Sequence, residues 1–177
     1  MKKNIVLIGF MGVGKGSTAR KLAEMTGMYA VDCDDLIESL ANMRIRKIFE
    51  VHGEEWFRKL ERRTAKWLED SVKETIISTG GGFYKVANLR KIGKIVYLHA
   101  EFDAIYERLT ASDNAARKIE KRPLLKDIDK ARRLHTERVP LYRRVADVEI
   151  DVMGSSQGEI AEQICRALMI KKKRADT

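Results

Sequence analysis

Cysteine and proline are nearly missing from this 177-residue chain, which carries two of each. Cys33 and Cys165 lie far apart and in no metal-ligand spacing, which argues against a disulfide scaffold or a structural zinc and fits a reducing cytoplasm. With prolines only at Pro123 and Pro140, and with no internal repeat or low-complexity linker, nothing marks a domain boundary. Long apolar runs are missing too. Ile5-Val6-Leu7-Ile8, Ile76-Ile77 and Ile95-Val96-Tyr97-Leu98 are all far shorter than the ~18 residues a membrane span requires. The start Met1-Lys2-Lys3-Asn4 is charged, but the apolar stretch after it runs into Gly-rich sequence without a small-residue cleavage site, so secretion is not expected. The expectation is a single domain over residues 1–177 with neither membrane nor secretory character.

Charge is not scarce, but it is lopsided: 35 Lys and Arg stand against 26 Asp and Glu, a formal net charge of +9. Between Arg117 and Arg144 there are 11 basic and 4 acidic side chains, so most of the excess sits in one segment. That sign calls for an anionic partner. Aromatic residues make up only 7% of the chain, and the basic segment lacks the interleaved rings on which bases stack, which disfavours a nucleic acid. The tail Lys171-Lys172-Lys173-Arg174 reads as a frayed terminus.

Short β-branched runs alternate with longer amphipathic stretches. Strands are expected at 5–8, 29–31, 75–78, 94–99 and 148–151. Helices are expected at 15–25, 35–40, 46–51, 54–71, 86–90, 102–109, 129–138 and 158–170. The last residues of Glu137-Arg138-Val139-Pro140 place a proline at the end of the seventh helix. Such alternation predicts an α/β fold: a parallel sheet covered on both faces, with ligands at the carboxyl ends of its strands.

The strongest local signal is Gly9-Phe10-Met11-Gly12-Val13-Gly14-Lys15-Gly16-Ser17, set between the first strand and a helix. It reads as a phosphate-binding loop: glycines let successive N–H groups converge on phosphate oxygens, the helix N-terminus adds its dipole, and Lys15 adds a mobile positive charge. Gly16 stands where Ser or Thr usually holds magnesium, so Ser17 or Thr18 must be asked to substitute. The second strand ends in Asp32-Cys33-Asp34-Asp35. Of Asp32 and Asp34, one can face Mg²⁺ while the other accepts a hydrogen bond from a substrate hydroxyl, and Asp35 suits a helix N-cap. In Gly53-Glu54-Glu55-Trp56-Phe57-Arg58 the arginine suits either a bidentate grip on a carboxylate or a surface salt bridge. Gly80, Gly81 and Gly82 follow the third strand, where backbone can approach a ligand closely. The polar run 111–120, leading into Lys121-Arg122-Pro123-Leu124-Leu125, has few apolar anchors and suits a mobile lid at about 111–126 whose Arg122 closes on phosphates.

Taken in order, the phosphate loop, Asp-Cys-Asp, Gly-Glu-Glu-Trp-Phe-Arg, the triple glycine, Arg-Pro-Leu-Leu and Glu-Arg-Val-Pro-Leu-Tyr resemble the shikimate kinases over nearly the whole chain, about residues 5–151. The resemblance implies a P-loop three-layer sandwich of the nucleoside-monophosphate-kinase type that transfers the γ-phosphoryl of ATP to the 3-hydroxyl of shikimate, in chorismate and aromatic amino-acid biosynthesis. It implies that Asp34, Arg58, Gly81 and Arg138 contact shikimate, with both arginines near its carboxylate, and that residues 12–17 hold the ATP phosphates. Arg108 would lie beside adenine, Arg122 would be the lid arginine, and Asp32 would sit near Mg²⁺. Family members usually carry Ser or Thr at position 16 and Gly at position 19. Here these are Gly16 and Ala19.

The sequence reading is therefore a monomeric, cytoplasmic kinase with ATP and shikimate as partners and neither nucleic acid nor membrane. Lys15, Asp34 and Arg122 are its catalytic residues, Ser17 and Asp32 its metal-side residues, and Gly80 and Gly82 flank the substrate. A gluconate kinase on the same scaffold and a catalytically dead binding module are the competing readings.

Overall fold

The computed structural model describes residues 3–111, 123–171 and 173. Five parallel strands form one sheet in the order β2-β3-β1-β4-β5, with β1 at Asn4–Ile8, β2 at Tyr29–Asp32, β3 at Thr75–Ser78, β4 at Gly93–His99 and β5 at Val148–Asp151. All four strand pairings are parallel. Every residue of the central β1 is buried, as is every residue of β3, which is why Ile5-Val6-Leu7-Ile8 and Ile76-Ile77 are continuously apolar rather than alternating: helices cover both faces. Asn4 is the polar exception at the start of β1. Its amide donates to the carbonyls of Val72 and Ile92, and its oxygen accepts from the Thr75 N–H, fastening the chain before β3 and β4 to the centre of the sheet.

The helices are α1 (Lys15–Thr26), α2 (Cys33–Ala41), α3 (Ile45–Ser71), α4 (Leu89–Ile92), α5 (Phe102–Thr110), α6 (Ile128–Val145) and α7 (Gln157–Ala167). Helix α1 packs on α7, and α2 on α3. Ile37, Ile48, Phe57 and Leu60 close a small second core between α2 and α3, apart from the main one. The two helices expected at 46–51 and 54–71 are the arms of α3, which bends at Gly53 (φ 78°, ψ 177°), a conformation open to glycine and strained for other residues.

Three expectations need correction. Pro140 does not end its helix: α6 runs on through it to Val145. Proline removes one backbone hydrogen bond and bends a helix, but Tyr142, one half-turn further on, is buried with its ring 5.1 Å from that of Tyr97 and nearly parallel to it, and this packing holds the final turns. The C-terminal helix stops at Ala167 rather than Ile170, because Met169 takes φ 53°. The helix expected at 86–90 is instead a 3₁₀ turn, Phe83–Lys85, followed by α4. Of the expected lid, residues 112–122 lie outside the described residues. Pro123–Lys126 form a 3₁₀ turn that buries Leu125 in the main core.

Candidate active site

The carboxyl ends of β1, β2 and β3 bring the sequence motifs to one edge of the sheet. After β1, the backbone at Gly9 passes so close to β4 that a side-chain carbon there would lie 2.6 Å from the Leu98 carbonyl oxygen, and Gly14 starts α1 with φ 104°. Only glycine meets both demands. Lys15 is buried, and its Nζ donates to the carbonyls of Gly9 at 2.8 Å and Phe10 at 3.0 Å, so the charge of the loop lies inside its own curve. Gly12 and Val13 complete the turn, Val13 buried in the core. Arg108, from α5, donates through Nη2 to the Gly12 carbonyl. Its guanidinium nitrogens lie 3.7 and 3.8 Å from where a side chain on Gly14 would begin.

The hydroxyls of the loop diverge. Ser17 is exposed, and its Oγ lies 3.4 Å from Arg20 Nη2. Thr18 is buried and donates its hydroxyl to Gln157 Oε1 at the start of α7, which spends it on helix packing rather than on the loop.

Asp32 ends β2 directly beside Ser78, its register partner at the end of β3. Its two oxygens have separate partners: Oδ1 accepts the Asp34 N–H and caps α2, the role expected of Asp35, which lies inside the first turn instead because the helix starts at Cys33, while Oδ2 accepts the Ser78 hydroxyl at 2.7 Å. Asp34 follows within the first turn of α2. Burial, with the Asp32 carboxylate next in weight, pushes its carboxyl up to about 6, although Lys15 pulls the other way.

The three glycines after β3 each face one candidate substrate residue. A side-chain carbon on Gly80 would lie 2.8 Å from Asp34 Oδ1, one on Gly81 3.3 Å from Arg138 Nη1, and one on Gly82 2.5 Å from Arg58 Nη1. The loop is thus bare backbone wrapped by a carboxylate and two guanidiniums. Arg58 realises the salt-bridge reading while still facing the loop: Nη1 donates to Glu61 at 2.5 Å and Nη2 to Glu54 at 2.8 Å. Burial pushes the Glu61 carboxyl above its ordinary range in spite of Arg58. Arg138 Nη1 donates to the Gly81 carbonyl at 3.2 Å.

Sequence reasoning passed over Glu61, Tyr142 and Ser78. The first two had a signal, since they stand three and four positions beyond Arg58 and Arg138 on the same helices. Ser78 had none, because only the β2–β3 register brings it to Asp32. Arg122 lies outside the described residues.

For Mg²⁺, the donor chemistry in front of Gly16 is suitable: a carboxylate and a hydroxyl, both hard oxygens. Among the described residues no cluster of three or more His, Cys, Asp or Glu side chains forms a cage. Mg²⁺ typically uses one or two carboxylates together with substrate phosphates and water, so a single Asp32 fits that habit.

The family model described as shikimate kinase matches residues 11–169. The chain belongs to the shikimate kinase family. A shikimate kinase of Helicobacter hepaticus is 38% identical over 166 residues, covering 94% of this chain and 96% of that one. The shikimate kinase of Caldanaerobacter subterraneus is 39% identical over 179 residues, covering 97% and 99%. Among solved structures, the shikimate kinase from Acinetobacter baumannii in complex with shikimate superposes with a TM-score of 0.83 at 34% identity, covering 96% of this chain and 94% of that one. A gluconokinase from Sinorhizobium meliloti, at 17% identity and TM-score 0.55, shares the fold alone.

Proposed function

We propose that this protein phosphorylates the 3-hydroxyl of shikimate with ATP, giving shikimate 3-phosphate and ADP for chorismate and aromatic amino-acid biosynthesis. The observation that carries the reading is the glycine loop faced residue by residue by Asp34, Arg138 and Arg58, on the same sheet edge as the phosphate loop. A small acceptor with hydroxyls and one carboxylate matches that charge pattern. Two arginines offer forked donors to the carboxylate, and Asp34 accepts from a hydroxyl.

Phosphoryl transfer asks the protein mainly for positioning and charge. Residues 12–17 turn their N–H groups toward the ATP phosphates, and Lys15 exchanges its carbonyl partners for phosphate oxygens. Asp34, with its carboxyl raised to about 6, is ionised at neutral pH yet basic enough to take the hydroxyl proton. Arg58 and Arg138 hold the acceptor at its far end, and Glu61 and Glu54 hold Arg58 in turn. Arg108 borders the nucleotide and Arg122 neutralises developing charge from the lid. Asp32 would hold Mg²⁺ from the protein side, with Ser17 near the phosphates, and the bound ion would supply neutralisation of phosphate charge.

Lys15, Asp34, Arg58 and Arg138 meet within one chain, which supports action as a monomer. Both cysteines are buried and neither is in a disulfide, which supports a cytoplasmic setting. No helix among the described residues is long and apolar enough to cross a membrane. ATP turnover measured with shikimate and with gluconate tests the reading: Mg²⁺-dependent ADP release with shikimate alone is the expected result. Release with gluconate alone, or with neither acid, rejects it.

A further inference from the structure

The departure at Gly16 leaves the phosphate loop without its usual metal-side hydroxyl, and the two hydroxyls that follow it are placed elsewhere. Ser17 is exposed, with Arg20 as its near partner, and Thr18 is buried with its hydrogen committed to Gln157. A third hydroxyl is present from another strand. A side-chain carbon on Gly16 would lie 3.7 Å from Arg20 Nη1, 3.8 Å from Asp32 Oδ2 and 3.9 Å from Ser78 Oγ, so any hydroxyl at position 16 would project into the space that the carboxylate and the Ser78 hydroxyl border, with the end of the flexible Arg20 side chain at its edge. Ser78 is itself buried, and its hydroxyl points at Asp32 Oδ2 from 2.7 Å.

We propose that Ser78 supplies the metal-side hydroxyl that Gly16 cannot, so that Asp32 and Ser78 together hold the protein side of the Mg²⁺ shell. The inference rests on the kinase reading above. Its chemistry follows from the direction of one hydrogen bond. A hydroxyl that donates its hydrogen to a carboxylate keeps its oxygen lone pairs for a cation and is polarised toward it. The phosphate-loop Ser or Thr of related nucleotide enzymes contributes this kind of oxygen to magnesium. Here the same hydroxyl–carboxylate pair is built by the β2–β3 register instead of by the loop, and Gly16 puts no side chain in front of it; the Arg20 guanidinium at the edge of that space is the end of a flexible side chain and moves aside for a cation. Ser78 is the last residue of β3, a strand buried throughout, so its oxygen is carried on the sheet rather than on a loop.

The test is Mn²⁺ affinity for the protein–ADP complex, read by electron paramagnetic resonance, which needs no turnover. Ser78→Ala is expected to weaken Mn²⁺ binding about tenfold or more, the scale seen when partners around a metal shell are removed, with metal-free ADP binding unchanged. Adding Gly16→Ser to Ser78→Ala is expected to restore it, a rescue that a purely structural serine would not show. Should Ser78→Ala fail to fold, Ser78→Cys, which keeps the shape but replaces the hard oxygen, is expected to show the same loss and the same rescue. Mn²⁺ affinity within twofold of the unaltered protein in the folded variant, or a loss that Gly16→Ser does not restore, overturns the proposal. The unaltered protein decides the prior reading separately: if it turns over no ATP with shikimate, the function falls, whereas turnover with unchanged Mn²⁺ affinity in Ser78→Ala removes only the role of Ser78.

Discussion

Tyr142 donates its hydroxyl hydrogen to the carbonyl oxygen of Gly81 at 2.6 Å, and the same oxygen accepts from Arg138 one turn earlier on α6. One backbone carbonyl therefore sets the position of the glycine loop relative to the helix that carries a substrate arginine. The Tyr142 ring is wedged between Tyr97, stacked at 5.1 Å, and Tyr84, edge-on at 4.9 Å. Burial pushes its phenol up to about 12, so it remains a donor at every working pH. Tyr142→Phe keeps the packing and removes the bond. We expect a stability loss of about 1 kcal/mol and a several-fold rise in the KM for shikimate with the KM for ATP unchanged. Arg138→Ala should act in the same direction but more strongly. Steady-state kinetics with each substrate varied separately check both.

Arg58 sits against Gly82 as Arg138 sits against Gly81. Losing its charged hydrogen bonds to a bound carboxylate costs roughly 2–5 kcal/mol, so Arg58→Ala is expected to raise the KM for shikimate at least tenfold while ATP binding stays near normal. Gly82→Ala probes the same contact from the other side. Its new methyl would arrive 2.5 Å from Arg58 Nη1, and the guanidinium, being the end of a flexible side chain, must move aside. The expected result is a folded protein with an unchanged melting temperature and weakened shikimate affinity. An unchanged KM for shikimate in Arg58→Ala would remove this arginine from the site.

Much of this arrangement was legible before any coordinates. The phosphate loop announced itself because its glycines, lysine and flanking strand and helix are contiguous, so local chemistry alone carries the signal. The strands at 75–78 and 148–151 coincide with β3 and β5, the first buried throughout and carrying β-branched residues, the second an edge strand whose apolar Val148 and Ile150 alternate with exposed Glu149 and Asp151. Pro140 misled because a local rule was outweighed by the ring stack of Tyr142 on Tyr97, 45 positions earlier in the chain, which no local pattern reveals. Ser78 escaped for a related reason: its partner Asp32 is 46 positions away, and the pairing exists only through sheet register. Residues that work through their own motif are readable from the motif, whereas residues that work through topology are not.

Lys15 turns its ammonium onto the carbonyls of Gly9 and Phe10 from inside the loop. Lys15→Ala removes both the charge offered to phosphate and the donor to two backbone oxygens. Turnover should drop by a factor on the order of 10²–10³, the usual cost of deleting one preorganised charge-stabilising group. The unmet carbonyls should lower stability by about 1–3 kcal/mol. Lys15→Arg restores the charge with the wrong shape and should recover stability better than turnover. Chemical denaturation beside single-turnover assays separates these two effects.

Asp34 links catalysis to stability with opposite signs. Its carboxyl is raised from 3.8 to about 6, chiefly by burial and then by Asp32. A raised acid binds protons more tightly in the folded than in the unfolded chain, so its contribution to stability is greatest below pH 4. That contribution declines as the pH climbs toward about 6 and is constant above. The full shift corresponds to at most about 3 kcal/mol of destabilisation at neutral pH. Asp34→Asn is nearly isosteric and carries no such cost. In nucleotide-free and metal-free protein, its melting temperature should therefore exceed that of the unaltered chain at pH 7, and the gap should close as the pH is lowered from 6 to 4. Turnover should move the other way, falling by a factor on the order of 10²–10⁴ because the amide cannot accept the hydroxyl proton. A melting-temperature difference between the two proteins that is flat from pH 4 to pH 7 would show that Asp34 does not titrate in this window. Retained turnover in Asp34→Asn would show that the hydroxyl loses its proton elsewhere.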